Sequence, residues 1–190
     1  MTNYFGEDSK KGKVIWLFGR PCAGKTTIGN QLAIILKEME YSVITLDGDE
    51  LRETINRDLG FSPEDRTENI RRSAELARIL AKKGFIIICS FVTPTNKLRD
   101  LIRERLLDVP FDLIYINTTL SECIRRDVKG HYRQAHSGTI SNFTGIGSPF
   151  EEPANTDLVI NTINLSISES VKRCLDFSLI AFLDPFELAK

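Results

Sequence analysis

Residues Gly19-Arg20-Pro21-Cys22-Ala23-Gly24-Lys25-Thr26 fit the pattern G-x-x-x-x-G-K-[ST], and no other stretch constrains the chain as much. They follow an apolar run, Val14-Ile15-Trp16-Leu17-Phe18, and precede a helix-period segment from Ile28 to Leu36. A loop between strand and helix presents unpaired backbone N–H groups and the positive end of the helix dipole, so it attracts anions. The pattern implies a nucleoside triphosphate cradled by the main chain, with Lys25 at the β- and γ-phosphates and the Thr26 hydroxyl on Mg²⁺. The candidate ATP-binding set is Gly19, Arg20, Pro21, Cys22, Ala23, Gly24, Lys25, Thr26 and Thr27. The bland alternative is a glycine turn that holds no ligand.

The 190 residues suffice for a single domain with a substantial core, and the reading is one domain over 1–190. A formal net charge of -1 offers no global field for a nucleic acid polymer or an anionic membrane. The apolar stretches are strand-sized, too short to span a bilayer. Residues 1–12 form a polar lead-in without the apolar region of a signal peptide. The cysteines at 22, 89, 123 and 174 are spaced too far apart for a zinc or redox pair, which suggests a reducing, cytoplasmic setting. Cys89 and Cys174 read as core thiols, and Cys22 as a small filler of the phosphate loop.

Apolar runs alternate with helix-period segments. Strands are expected at 13–18, 42–46, 85–91, 111–117 and 157–161. Helices are expected at 25–39, 49–57, 64–82, 95–106, 119–127 and 167–182. Short continuous strands rich in β-branched residues suit a sheet covered on both faces. The expected architecture is therefore α/β: three layers around a mainly parallel five-stranded sheet. Ser62-Pro63-Glu64-Asp65 reads as an N-cap, a proline at the first helical position and acids in the first turn. Residues 129–153 break the rhythm, with four glycines and two histidines, and read as a lid over the nucleotide. His131 and His136 lack a third ligand nearby in sequence, so they read as solvated loop residues.

Three features narrow the class. Asn96-Lys97-Leu98-Arg99 carries Arg where a GTPase base-reading motif needs Asp. The strand expected at 85–91 ends without the carboxylate of motor ATPases. The strand at 42–46 instead runs into Asp47-Gly48-Asp49, at the sheet edge where open α/β folds bind ligands. Those carboxylates could organise Mg²⁺ through water, as expected of Asp47, or accept the proton of an attacking hydroxyl, as expected of Asp49. Otherwise they merely cap the next helix.

Leu46-Asp47-Gly48-Asp49-x-Leu51-Arg52 and Asp58-Leu59-Gly60-Phe61-Ser62-x-Glu64-Asp65-Arg66-x-Glu68-Asn69-Ile70-Arg71-Arg72 closely resemble the adenylylsulfate (APS) kinases. So do Cys123-x-x-Arg126-Asp127-x-Lys129-Gly130-x-Tyr132, Phe143-Thr144-Gly145-Ile146 and Glu152-Pro153. The likeness runs from about Val14 to the final helix. It implies transfer of the γ-phosphoryl group of ATP, with Mg²⁺, to the 3′-hydroxyl of adenosine 5′-phosphosulfate, giving PAPS. It implies Lys25, Asp49 and Lys129 as catalytic residues and Arg126 as a lid contact to ATP. The implied acceptor site is Asp49, Arg52, Phe61, Arg66, Asn69, Val92, Thr93, Lys129 and Phe143, with Phe61 and Phe143 sandwiching the base. Thr93 stands where the family often has a serine that is phosphorylated in some members. Family habit also implies a homodimer, and the apolar residues 177–186 could dock on the core or on a second subunit.

The family usually has Gly-Leu-Ser-Gly-[AS]-Gly-Lys at the phosphate loop. Here Arg20 adds a cation, Pro21 removes a backbone donor, and Cys22 replaces a glycine, disfavouring φ > 0 at that position. His131 stands in the lid where Leu is usual. The same chemistry on another nucleotidyl acceptor, such as cytidine diphosphoramidate, is the second expectation. A non-catalytic nucleotide-binding subunit is the third.

Overall fold

The structure is a computed structural model that describes residues 12–140 and 142–180. Nearly all of the polar lead-in, and the part of 177–186 beyond residue 180, lie outside the described residues. The strands are β1 (Lys13–Phe18), β2 (Val43–Asp47), β3 (Ile86–Phe91), β4 (Phe111–Asn117) and β5 (Leu158–Asn161). The helices are α1 (Lys25–Glu38), α2 (Gly48–Glu53), α3 (Pro63–Ala81), α4 (Asn96–Arg105), α5 (Leu120–Arg126), α6 (His131–His136) and α7 (Ile167–Ile180).

The sheet runs β2-β3-β1-β4-β5, and its pairings are parallel throughout. β1 is central and wholly buried, and its alternation splits the core. Val14, Trp16 and Phe18 face α3 and α4 with Ile70, Ala74, Ile102 and Leu106. Ile15 and Leu17 face the opposite layer with Ile28, Leu32, Leu36, Val171 and Cys174 from α1 and α7. The three-layer α/β fold is as expected, and all five strands lie within a residue or so of their expected spans.

Local chemistry sets the ends. Ser62 Oγ accepts from Asp65 N at 3.1 Å and Pro63 opens α3, which is the cap read from the sequence. α1 starts at Lys25 because Gly24, at φ 103, turns the chain through a region that favours glycine. Two expectations need correcting. α2 ends at Glu53 rather than near 57, because Thr54 N and Asn56 N both turn back to Leu51 O and the Asn56 side chain is buried against Asn69. The segment 129–153 is not an irregular loop throughout. It contains α6, whose first turn is capped by Asp127 through Tyr132 N at 3.0 Å and Arg133 N at 3.1 Å.

Leu32 is fully buried between α1 and the sheet. Leu32→Ala is expected to cost about 2–5 kcal/mol, read as a lower urea midpoint at unchanged slope.

Candidate active site

A cleft of about 900 Å³ opens at the carboxyl edge of the sheet, over the β1–α1 loop. Every expected site residue lines it except Gly19 and Arg20. Gly19 lies beneath the loop at φ 153, where a Cβ would come within 2.4 Å of Ile116 O. The Arg20 side chain corrects an expectation. It turns out of the cleft to Glu152 Oε1 at 2.9 Å and Tyr115 Oη at 3.3 Å, with its guanidinium 4.5 Å over the Phe150 ring. A carboxylate, a hydroxyl and an aromatic face together hold that cation outside the cleft. Cys22 adopts φ 59, the left-handed conformation that its side chain disfavours.

Lys25 is buried, and its ammonium donates to Gly19 O at 3.1 Å and Arg20 O at 2.8 Å. Desolvation lowers its pKa to about 8 despite the nearby Asp47. Next to it, Thr26 Oγ1 donates to Asp47 Oδ2 at 2.7 Å, while Asp47 Oδ1 accepts from Asp49 N at 2.9 Å and so caps α2. Asp47 thus caps a helix and meets Thr26 at once; one reading does not displace the other. A hydroxyl and a carboxylate side by side are oxygen donors suited to a hard divalent cation.

Across the cleft, Lys129 Nζ donates to Asp49 Oδ2 at 2.5 Å, joining residues 80 apart in the chain. That hydrogen bond raises the Lys129 pKa. Arg52 and Arg66 both stand over the exposed Phe61 ring, at 4.5 and 5.8 Å. Burial lowers the pKa of both guanidiniums, and Arg66 lowers that of Arg52 further. Two partly desolvated cations of like sign attract a multi-oxygen anion. Arg66 also bridges to the 129–153 segment through Thr144 Oγ1 at 3.1 Å and Asn142 O at 2.6 Å. Phe143 meets Tyr132 edge-on at 4.9 Å and lines the cleft opposite α3. Arg126 lies on the loop, donating to Ala23 O at 3.1 Å.

Asn69 is buried, and its Oδ1 accepts from Asn56 Nδ2 at 3.0 Å. Thr93 is 1% exposed at φ 41, and its hydroxyl accepts from Trp16 Nε1 at 3.1 Å. A kinase could reach that hydroxyl only if the turn after β3 opened.

Some residues that build the site had no assigned role. Tyr132 is fully buried and donates to Pro21 O at 3.2 Å, tying α6 to the phosphate loop. Arg72 grips Asp58 with both terminal nitrogens at 2.8 and 2.9 Å, which holds the turn carrying Phe61 onto α3. Arg99 is 2% exposed and donates to Thr93 O, Pro94 O and Glu151 O. An aromatic side chain in a glycine-rich segment was the available signal for Tyr132. Arg99 offered none, because in sequence it sits on an ordinary polar helix face.

The family model for adenylylsulphate kinase matches residues 11–161. The chain belongs to that family. An adenylyl-sulfate kinase of Paraburkholderia xenovorans strain LB400 is 44% identical over 165 residues, covering 87% of this chain and 92% of its own. One from Pseudomonas aeruginosa is 46% identical over 164 residues, covering 86% and 84%. Among solved structures, the Mycobacterium tuberculosis APS kinase in complex with AMPPNP and APS superposes with a TM-score of 0.86 at 37% identity, covering 88% of this chain and 97% of that one. Adenylylsulphate kinase membership accounts for the phosphate loop, Asp47-Gly48-Asp49 and the lid motifs in one order.

The depressed Lys25 pKa has a sign. Below about pH 8 the ammonium is charged in folded and unfolded chains alike. Between about 8 and 10.5 it is neutral only when folded, so its desolvation penalty fades as pH rises through that window. An anionic ligand reverses the preference and favours the charged form. Mg·ATP binding is therefore expected to take up close to one proton near pH 9, and affinity to fall by up to about tenfold per unit above pH 8. Calorimetry in two buffers of different ionisation enthalpy measures the uptake, which Lys25→Met should remove.

Proposed function

We propose that this protein transfers the γ-phosphoryl group of ATP to the 3′-hydroxyl of adenosine 5′-phosphosulfate, giving PAPS. The observation that carries this reading is the Lys129–Asp49 pair at 2.5 Å, in one cleft with the phosphate loop and the Arg52–Phe61–Arg66 face. The adenylyl-sulfate kinase relatives, and the AMPPNP and APS complex of the mycobacterial enzyme, support it.

The loop and the first turn of α1 hold the donor phosphates, with Arg126 beside them. Thr26 and Asp47 would hold Mg²⁺, which supplies charge neutralisation on the transferred group. Phe61 and Phe143 bracket the acceptor base, while Arg52 and Arg66 take its anionic tail, with Asn69, Val92 and Thr93 as the wall behind. Asp49 then accepts the proton of the attacking hydroxyl, and Lys129, released from Asp49, follows the charge on the moving phosphoryl group. Residues 129–153 act as a lid that keeps water from competing. The chain works as one kinase domain, and the free cysteines agree with a cytoplasmic setting.

A coupled ADP-release assay tests the reading. Turnover is expected with ATP and APS; folded protein that turns over cytidine diphosphoramidate but not APS would move the acceptor. Asp49→Asn should lower kcat by about 10²- to 10⁴-fold. Phe61→Ala should raise the KM for APS by about 5- to 100-fold, the scale of one lost base stack, and spare the KM for ATP.

A further inference from the structure

We infer that Arg20 is a positioning residue of the donor site: it brackets the phosphate loop onto Phe150 and Glu152, at the end of the 129–153 segment, and so sets the loop's grip on Mg·ATP. The inference rests on the reading that this loop binds ATP. Two features of the loop create the need. Pro21 contributes no N–H, and Cys22 stands at φ 59, a conformation an ordinary side chain leaves unless it is held.

Arg20 holds the loop from both ends of the residue. Its carbonyl accepts from Lys25 Nζ at 2.8 Å and from Ala23 N at 3.2 Å. Its guanidinium donates to Tyr115 Oη at 3.3 Å and to Glu152 Oε1 at 2.9 Å, and Tyr115 closes the triangle by donating to Glu152 Oε2 at 3.3 Å. Phe150 lies under the guanidinium, and Tyr115 stacks on both Phe150 and Phe18, the last residue of β1. The Arg20 side chain is 16% exposed while that of Glu152 is 67% exposed, so the ion pair alone is worth little and the anchor depends on the packing of the guanidinium against Phe150 and Tyr115. The far side of the bracket is fixed as well: Arg99 donates to Glu151 O at 2.7 Å and to Pro94 O at 3.1 Å. The residue that receives the catalytic lysine on its backbone is thereby anchored, through its side chain, to the end of the lid.

Arg20→Met and Glu152→Gln should each weaken Mg·ATP by about five- to tenfold in calorimetry, the scale of one lost hydrogen bond of ordinary net strength. The KM for APS and the kcat at saturating ATP should stay near wild type. The double variant should bind no more weakly than Arg20→Met alone, because both changes cut the same link. Arg20→Lys keeps the charge without the fork and should fall in between; it also serves if the methionine variant fails to fold. Wild-type ATP affinity in Arg20→Met or Arg20→Lys, multiplying losses in the double variant, or an equal rise in the KM for APS would each overturn the inference. Wild-type protein that binds no Mg·ATP would overturn the underlying reading with it, whereas the other outcomes leave that reading intact.

Discussion

A buried ammonium under the β1–α1 loop is the constraint on which the rest of the structure depends. Among the described residues, Lys25 has the backbone carbonyls of residues 19 and 20 as its hydrogen-bond acceptors, and burial already weakens its hold on a proton. Such a charge is costly until an anion arrives. The surroundings keep it there. β1 is central and dry on both faces, Gly24 makes the turn, and α1 starts at Lys25 with its free N–H groups and dipole aimed the same way. The fold thus stores an unsatisfied electrostatic preference at the point where a triphosphate would satisfy it.

The segment after α5 meets that centre at separate places. Tyr132 reaches Pro21 O in the phosphate loop, Lys129 reaches Asp49 at the start of α2, and Arg66 of α3 reaches Asn142 and Thr144. These contacts differ in kind. Tyr132 is fully buried and behaves as a packed anchor. The Lys129–Asp49 pair is largely exposed, so its net stabilisation is small and the lysine is readily released to a better anion. Arg66 holds the residues on either side of Phe143, so its position and that of Phe143 are linked. One stretch of chain therefore carries a fixed point and an exchangeable one.

Much of this was legible in the sequence, and for identifiable reasons. Strands buried on both faces leave continuous β-branched runs, so the five-stranded sheet could be read off with its boundaries. Phosphate loops and paired carboxylates depend on local spacing, so Lys25, Thr26, Asp47 and Asp49 were readable too. What failed depends on distance in the chain. α6 is stabilised by Asp127 at its start and by burial of Tyr132 against a loop 111 residues away, so it leaves no long apolar period. The Arg20 side chain was expected beside the phosphates because the loop alone was in view. Its partners, Tyr115 and Glu152, are 95 and 132 residues downstream.

The family motif around Phe61 shows why likeness alone overstates chemistry. In Asp58-Leu59-Gly60-Phe61-Ser62, the aspartate is gripped by Arg72 and the serine caps α3; neither side chain lines the cleft. Arg71 pairs with Glu68 one turn away, on the outside of the helix. These residues act by fixing the turn, so that Phe61 can stand 60% exposed under two guanidiniums instead of collapsing into the core. The cation–π contacts offset part of the cost of leaving that ring in water. The motif thus acts through the turn it builds, which presents an aromatic ring and two guanidiniums together at the cleft.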